Sequence, residues 1–183
     1  FIAGFQYKNE AEEYYKVLKK RMSKFGLELE ESKSRLLEFG RYAEVNRKAR
    51  GERKPETFDF LGFTFYCSKS RSGKFSVKLK TSKKKFRQKV KAMKVWLYQN
   101  RDIKVSDLME QVKIKLIGHY RYYGISHNGR MISCFRQRTI DFLYKILNRR
   151  SHKKSYTVEG FKEMLKVYKL PYPKIYISLF DWK

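Results

Sequence analysis

Cysteine and histidine are scarce in this 183-residue chain, and acidic residues are missing from a long stretch of it. The two cysteines, Cys67 and Cys134, form no CxxC pair, and His119, His127 and His152 are scattered. That spacing argues against a zinc site. Two lone thiols fit a reducing cytosol and read as small apolar fillers. No run of about 18 apolar residues exists, which excludes a bilayer-spanning helix, and no signal peptide is evident. The opening "FIAGF" has no methionine and reads like a strand entered halfway, so the chain is expected to continue a longer protein. There is no internal repeat.

What is present is positive charge on a chain that can fold. The net charge is +26, with 42% hydrophobic and 16% aromatic residues, which excludes a disordered basic tail. Self-repulsion on this scale calls for a polyanion, either nucleic acid or an anionic membrane. Residues 1–56 carry fourteen Lys/Arg against ten Asp/Glu, and residues 57–183 carry thirty against eight. From Phe60 to Arg101 there are thirteen cations and no acid. The shift predicts two regions with different tasks.

Periodicity predicts an α+β fold. Ala11, Tyr14, Tyr15, Leu18, Met22 and Phe25 mark one stripe of a first helix, capped by Asn9 and closed by Gly26. "SRLLEF" reads as a short strand and "GRYAEVNRKARGERKPE" as a loop. "TFDFLGFTFYC" reads as one strand with Gly62 in its middle. A turn, "SKSRSGK", leads to "FSVKLK", with Phe75, Val77 and Leu79 inward and Lys74, Ser76, Lys78 and Lys80 outward. Ser82 caps a helix with Phe86, Val90, Met93 and Leu97 inside. A further helix is expected after Ser106, another from about Arg130 to Arg149 with Ile132, Phe135, Phe142 and Ile146 in register, and a short one from about Val158 to Tyr168. The tail "KIYISLFDW" is expected to dock.

The helix after Ser82 has its charge at the wrong end. Lys83, Lys84 and Lys85 stand in its first turn, where each cation costs roughly 0.3–1 kcal/mol against the helix dipole. Lys84, Arg87, Lys91 and Lys94 step by three and four, a ridge expected opposite the apolar stripe. A phosphate backbone would convert that penalty into attraction. A solvated face is the plainer reading, but it leaves the missing acids unexplained. A membrane-surface helix would need exposed apolar groups, and the neighbouring helices offer those groups a core instead. In "HYRYY", Tyr120 and Tyr123 share a helical face beside Arg121, fit either for stacking on bases or for core packing.

Four segments, in order, resemble the C-terminal half of a bacterial group II intron reverse transcriptase, or maturase. They are "FIAGF", "FGLELEESKSRLLEF", "FDFLGFTF" and "LIGHYRYYGIS". The resemblance covers nearly the whole chain. It implies the end of a polymerase palm over residues 1–80, with "FDFLGFTF" in the primer-grip hairpin, and a helical thumb or maturase X domain over residues 81–183. It implies that Lys33 lies near the template-primer end, and that Gly62 lets nucleic acid approach the strand backbone. The partners implied are intron and template RNA, an RNA/DNA duplex and the fingers and palm of the same protein, in the bacterial cytoplasm. The family's Mg²⁺ clamp is held by aspartates of a Tyr-Ala-Asp-Asp box that would precede Phe1, and by a third further upstream. Asp59, Asp102, Asp107, Asp141 and Asp181 do not replace them, so this chain alone is expected not to polymerise. Two other readings stay open: a reverse transcriptase of another retroelement (CRISPR-associated or domesticated), and a non-enzymatic basic RNA-binding module.

Overall fold

A computed structural model describes residues 1–150 and 156–179. Among these the fold is α+β, with six α-helices and one three-stranded antiparallel sheet. The chain divides into two compact units, Phe1–Glu56 and Thr57–Lys183. The boundary falls where the charge balance shifts, not at residue 80: the hairpin shares a core with the helices that follow it.

The first unit holds α1 (Lys8–Lys24), a single 3₁₀ turn (Glu31–Lys33) and α2 (Ala43–Ala49). α1 starts from Tyr7 with no side-chain cap, so Asn9 lies inside it. Of its apolar stripe only Ala11 is buried. Neither "FIAGF" nor "SRLLEF" forms a strand. A strand needs a pairing partner, and among the described residues this unit offers none. The expected loop contains α2, held by charge pairs instead of an apolar face. Arg47 Nη2 lies 3.2 Å from Glu52, Arg50 Nε 2.7 Å from Glu52, and a second Arg50 nitrogen reaches Glu38.

The second unit opens with β1 (Phe58–Phe60), β2 (Phe63–Lys69) and β3 (Phe75–Thr81) in the order β1-β2-β3. "FDFLGFTF" is therefore two strands. Phe58 pairs with Phe65 and Phe60 with Phe63, which leaves Leu61 and Gly62 as a two-residue turn. Both have positive φ, 47° and 84°, as the turn type matching strand twist demands. Gly62 is glycine because of that φ. A Cβ there would meet only Tyr123 Oη and the Lys85 side chain at ordinary contact distances. Leu61 is the strained residue, 68% exposed with nothing obvious to gain from its side chain. Leu61→Asn is expected to stabilise the unit by about 1 kcal/mol, and Gly62→Ala to destabilise it by about as much. Urea denaturation midpoints check both.

One sheet face carries Phe63, Phe65 and Leu79 onto the helices. Val77 lies on the same face yet is exposed, because it sits toward the outer end of the hairpin, opposite Cys67. Four helices follow: α3 (Lys83–Gln99), α4 (Val105–Tyr123), α5 (Gly129–Leu147) and α6 (Val158–Tyr168). α4 begins just before Ser106, capped by Lys104 without a side-chain bond. The core joins Phe63 and Leu79 to Leu97, Leu108, Leu116, Ile132, Leu143 and Phe161. Phe142 is only half-buried at its edge, and Cys134 is exposed, so it fills no core space.

Two polar joints fix how these elements meet. Asn128 is fully buried: its Oδ1 accepts from Thr81 N at 2.7 Å, and its Nδ2 donates to Tyr123 O at 2.8 Å. Gly124 ends α4 where a Cβ would collide with the carbonyls of Tyr120 and Lys174. Its carbonyl accepts from Tyr176 N and Ile177 N, which docks the segment after α6. The expected docking holds for that part of the tail. Phe180, Asp181 and Trp182 lie outside the described residues.

Candidate nucleic-acid interface

The interface is built from α3 outward. Ser82 has extended backbone, and its Oγ accepts from Lys85 N at 3.4 Å, starting the helix where the sequence predicts. The first turn holds Lys83, Lys84 and Lys85, all exposed, and no acid. Phe86, Val90, Met93 and Leu97 face the core. Lys94 follows Met93 by one residue, about 100° round the helix. The ridge of Lys84, Arg87, Lys91 and Lys94 therefore runs along one flank of the apolar stripe, not opposite it.

That flank faces α5. Lys94 Nζ lies 6.0 Å from the Phe142 ring centroid, and Arg149 Nη1 donates to Tyr98 Oη at 2.6 Å. At the other end, Thr81 meets Asn128. Start meets start and end meets end, so α3 and α5 run parallel. Positions 138, 142, 145 and 149 of α5 step by four, three and four along the facing flank. Arg138, Lys145 and Arg149 are exposed there. Two rows of cations thus border one seam. Among the described residues no cation from Lys69 to Lys94 has a carboxylate within ion-pair distance; the unit's ion pairs are Arg101–Asp102, Lys113–Glu110 and Lys166–Glu163.

The sheet adds a second basic surface. Thr64, Tyr66, Ser68, Lys78 and Lys80 share its outer face, with Lys80 Nζ 5.4 Å from the Tyr66 ring centroid.

The aromatic motif does something other than stack on a ligand. Tyr120 and Tyr123 are 1% and 4% exposed, so the structure places both in the core and neither ring face is open to a base. Tyr120 Oη donates to Pro171 O at 3.2 Å, and burial pushes its hydroxyl up to about 12. Burial also raises that of Tyr123. Tyr122, off the face that Tyr120 and Tyr123 share, is the exposed one: its hydroxyl donates to the Leu61 carbonyl at 3.1 Å. Phe63 lies beside both Tyr122 and Tyr123. The two motifs, sixty residues apart, touch: "RYY" braces the "LG" turn. Arg121 is exposed.

Lys33 belongs to the first unit, is exposed, and has Glu30 as its nearest carboxylate at 4.0 Å.

His119 and Asn128 carry no mark in the sequence. A lone Asn in "SHNG" reads as a turn residue, and nothing in the pattern shows it as buried. His119 stacks on Phe135 with centroids 3.7 Å apart. Burial, with a smaller contribution from Lys89, holds its imidazole down to about 4. The unfolded chain takes up this proton near pH 6.5, the folded chain only near 4, so the unfolded state gains as pH falls between those values. Stability should be full above about pH 6.5 and fall by roughly 3 kcal/mol toward pH 4. His119→Phe should flatten that slope in urea titrations across the range.

Among the described residues no three His, Cys, Asp or Glu side chains gather into a metal site. No helix among them is long and apolar enough to cross a membrane. No family model, curated protein or solved structure matches the chain.

Proposed function

We propose that this chain is the template-primer-binding and RNA-binding part of an RNA-directed DNA polymerase of the group II intron maturase type. It supports reverse transcription and RNA splicing by holding nucleic acid, while the Mg²⁺-binding aspartates lie in another part of the protein. The observation that carries the reading is the seam between α3 and α5. Cations from both helices border it, and the ridge on α3 has no acid to neutralise it. The cations at the start of α3 oppose the helix dipole, so the fold alone has no use for them.

The seam works by charge. Duplex nucleic acid presents phosphates at close, regular intervals, and each lysine or arginine that neutralises one releases a condensed counterion. Such contacts fix position without reading sequence. The "LG" turn, braced by Tyr122 and Tyr123, is the primer-grip element, and its firmness sets where the primer end rests. Gly62 serves there through the turn it permits.

Affinity for an RNA/DNA duplex should therefore fall steeply with salt. If six of the seam's cations meet phosphates, the slope of log affinity against log salt is about −5. A flat salt dependence would sink the proposal. Primer extension by this chain alone, with Mg²⁺, template and dNTPs, should stay at background.

One observation favours a second reading, the stand-alone RNA-binding module. The unit Thr57–Lys183 has its own core, from Phe63 to Leu170. That reading predicts the same salt slope but no stimulation of polymerisation when the chain is supplied with the fingers and palm of a maturase.

A further inference from the structure

Two aromatic residues of α5, Phe142 and Tyr144, are only half-buried at the edge of the core. Phe142 and Tyr144 of α5 and Phe161 of α6 line a groove of about 330 Å³ between the two helices. Tyr144 and Phe161 meet edge to face at 5.1 Å. Arg138, Lys145 and Lys162 also line it, together with one carboxylate, Asp141. The groove adjoins the seam: its Phe142 is the ring that Lys94 approaches.

Three features narrow what could lie there. The volume suits one small flat ligand or a single base. The half-buried rings of Phe142 and Tyr144 offer a stacking surface for any base, while Phe161, 5% exposed, belongs to the core, and the surrounding cations take the flanking phosphates. Asp141 supplies the specificity. Its Oδ1 accepts from Gln137 Nε2 at 2.9 Å, which orients the carboxylate. An acidic side chain, though drawn by Arg138, Lys145 and Lys162, offers Asp141 no donor, and a purely apolar anchor would leave it unmatched. A base edge with two adjacent N–H donors would match it with two parallel hydrogen bonds, and among the four bases guanine has that edge.

We propose that this groove takes an unpaired guanine of the RNA whose backbone lies along the α3–α5 seam. The inference rests on the function proposed above and adds a base preference to it.

The test is fluorescence anisotropy of the full chain with three labelled RNA hairpins of equal length: fully paired, with one bulged guanosine, and with one bulged uridine. The bulged guanosine should bind about tenfold tighter than the other two. Asp141→Asn should abolish that preference while leaving the paired hairpin's affinity unchanged. Val158→Trp, which places a large side chain on a half-exposed lining residue, should also equalise the three. Lys84→Glu with Arg87→Glu should weaken all three alike. Equal binding of the three by the wild type, with the steep salt slope kept, would overturn the groove and leave the proposed function standing. A guanosine preference that survives Asp141→Asn would overturn it too. Binding of an acidic amphipathic peptide that Val158→Trp blocks, with no guanosine preference, would assign the groove to a protein instead. No binding to any hairpin would remove both this inference and the function it rests on.

Discussion

Replacing Lys84, Arg87 and Lys91 together by glutamate should lower affinity for an RNA/DNA duplex by roughly 100-fold or more at physiological salt, and reduce the salt slope by about 3. All three side chains are exposed, so the core is untouched. The same change should stabilise the protein. Lys84 lies in the first turn of α3, which has no acid, and a glutamate there turns a dipole penalty into a gain of about 1 kcal/mol across the exchange. Fewer like charges along the ridge add to that gain. Binding and stability are thus expected to move in opposite directions. A merely solvated face would show the gain in stability without the loss of binding. Anisotropy titrations paired with urea denaturation of one variant read both.

The largest loss of stability is expected from Asn128→Ala, about 3 kcal/mol. The substitution leaves the Thr81 amide and the Tyr123 carbonyl without the side chain that now satisfies them, in a place water does not reach. Asn128→Asp should recover little. It keeps the acceptor but loses the donor to Tyr123 and buries a charge. Because Asn128 ties the β3–α3 junction to the start of α5, its loss should also loosen the end of the seam. RNA affinity of the folded fraction should fall as well, by less than the charge reversal causes. Urea midpoints, with unchanged far-ultraviolet circular dichroism before the transition, measure the first effect.

Much of the second unit is legible in the sequence, because its signals are local and agree with one another. Ser82 before an apolar stripe marks the start of α3, and the short helix expected from about Val158 to Tyr168 is α6, whose cap at Thr157 only the structure shows. The "LG" turn is harder to see. Leucine is a poor residue for a positive φ, and no Asn-Gly or Asp-Gly pair announces a hairpin. A trace is present all the same. Phe58 and Phe60 fall on even numbers, Phe63 and Phe65 on odd ones. A single strand would send the pairs to opposite faces, whereas two inserted residues bring all four to one face. α2 is hidden because Arg47 and Arg50 hold it through carboxylates of neighbouring segments. The sequence leaves Tyr120 and Tyr123 open between stacking and core packing for a simple reason. Helical spacing shows which residues share a face, but not whether that face looks inward.

The site divides in the same way. The cationic step from Lys84 to Lys94 is visible in sequence, but its partner row on α5 is not. Arg138, Lys145 and Arg149 lie some fifty residues away, and only the parallel packing of α3 on α5 brings them to one seam.

Lysine footprinting tests the central claim most directly. The full chain is acetylated with and without an RNA/DNA duplex, and each lysine is read by mass spectrometry. Lys84, Lys91, Lys94 and Lys145 should be protected by the duplex, while Lys115, whose ammonium sits over Trp96 on the α4 side, and Lys166 on α6 should react as before. Protection spread evenly over all lysines, or confined to Lys115 and Lys166, would contradict the account.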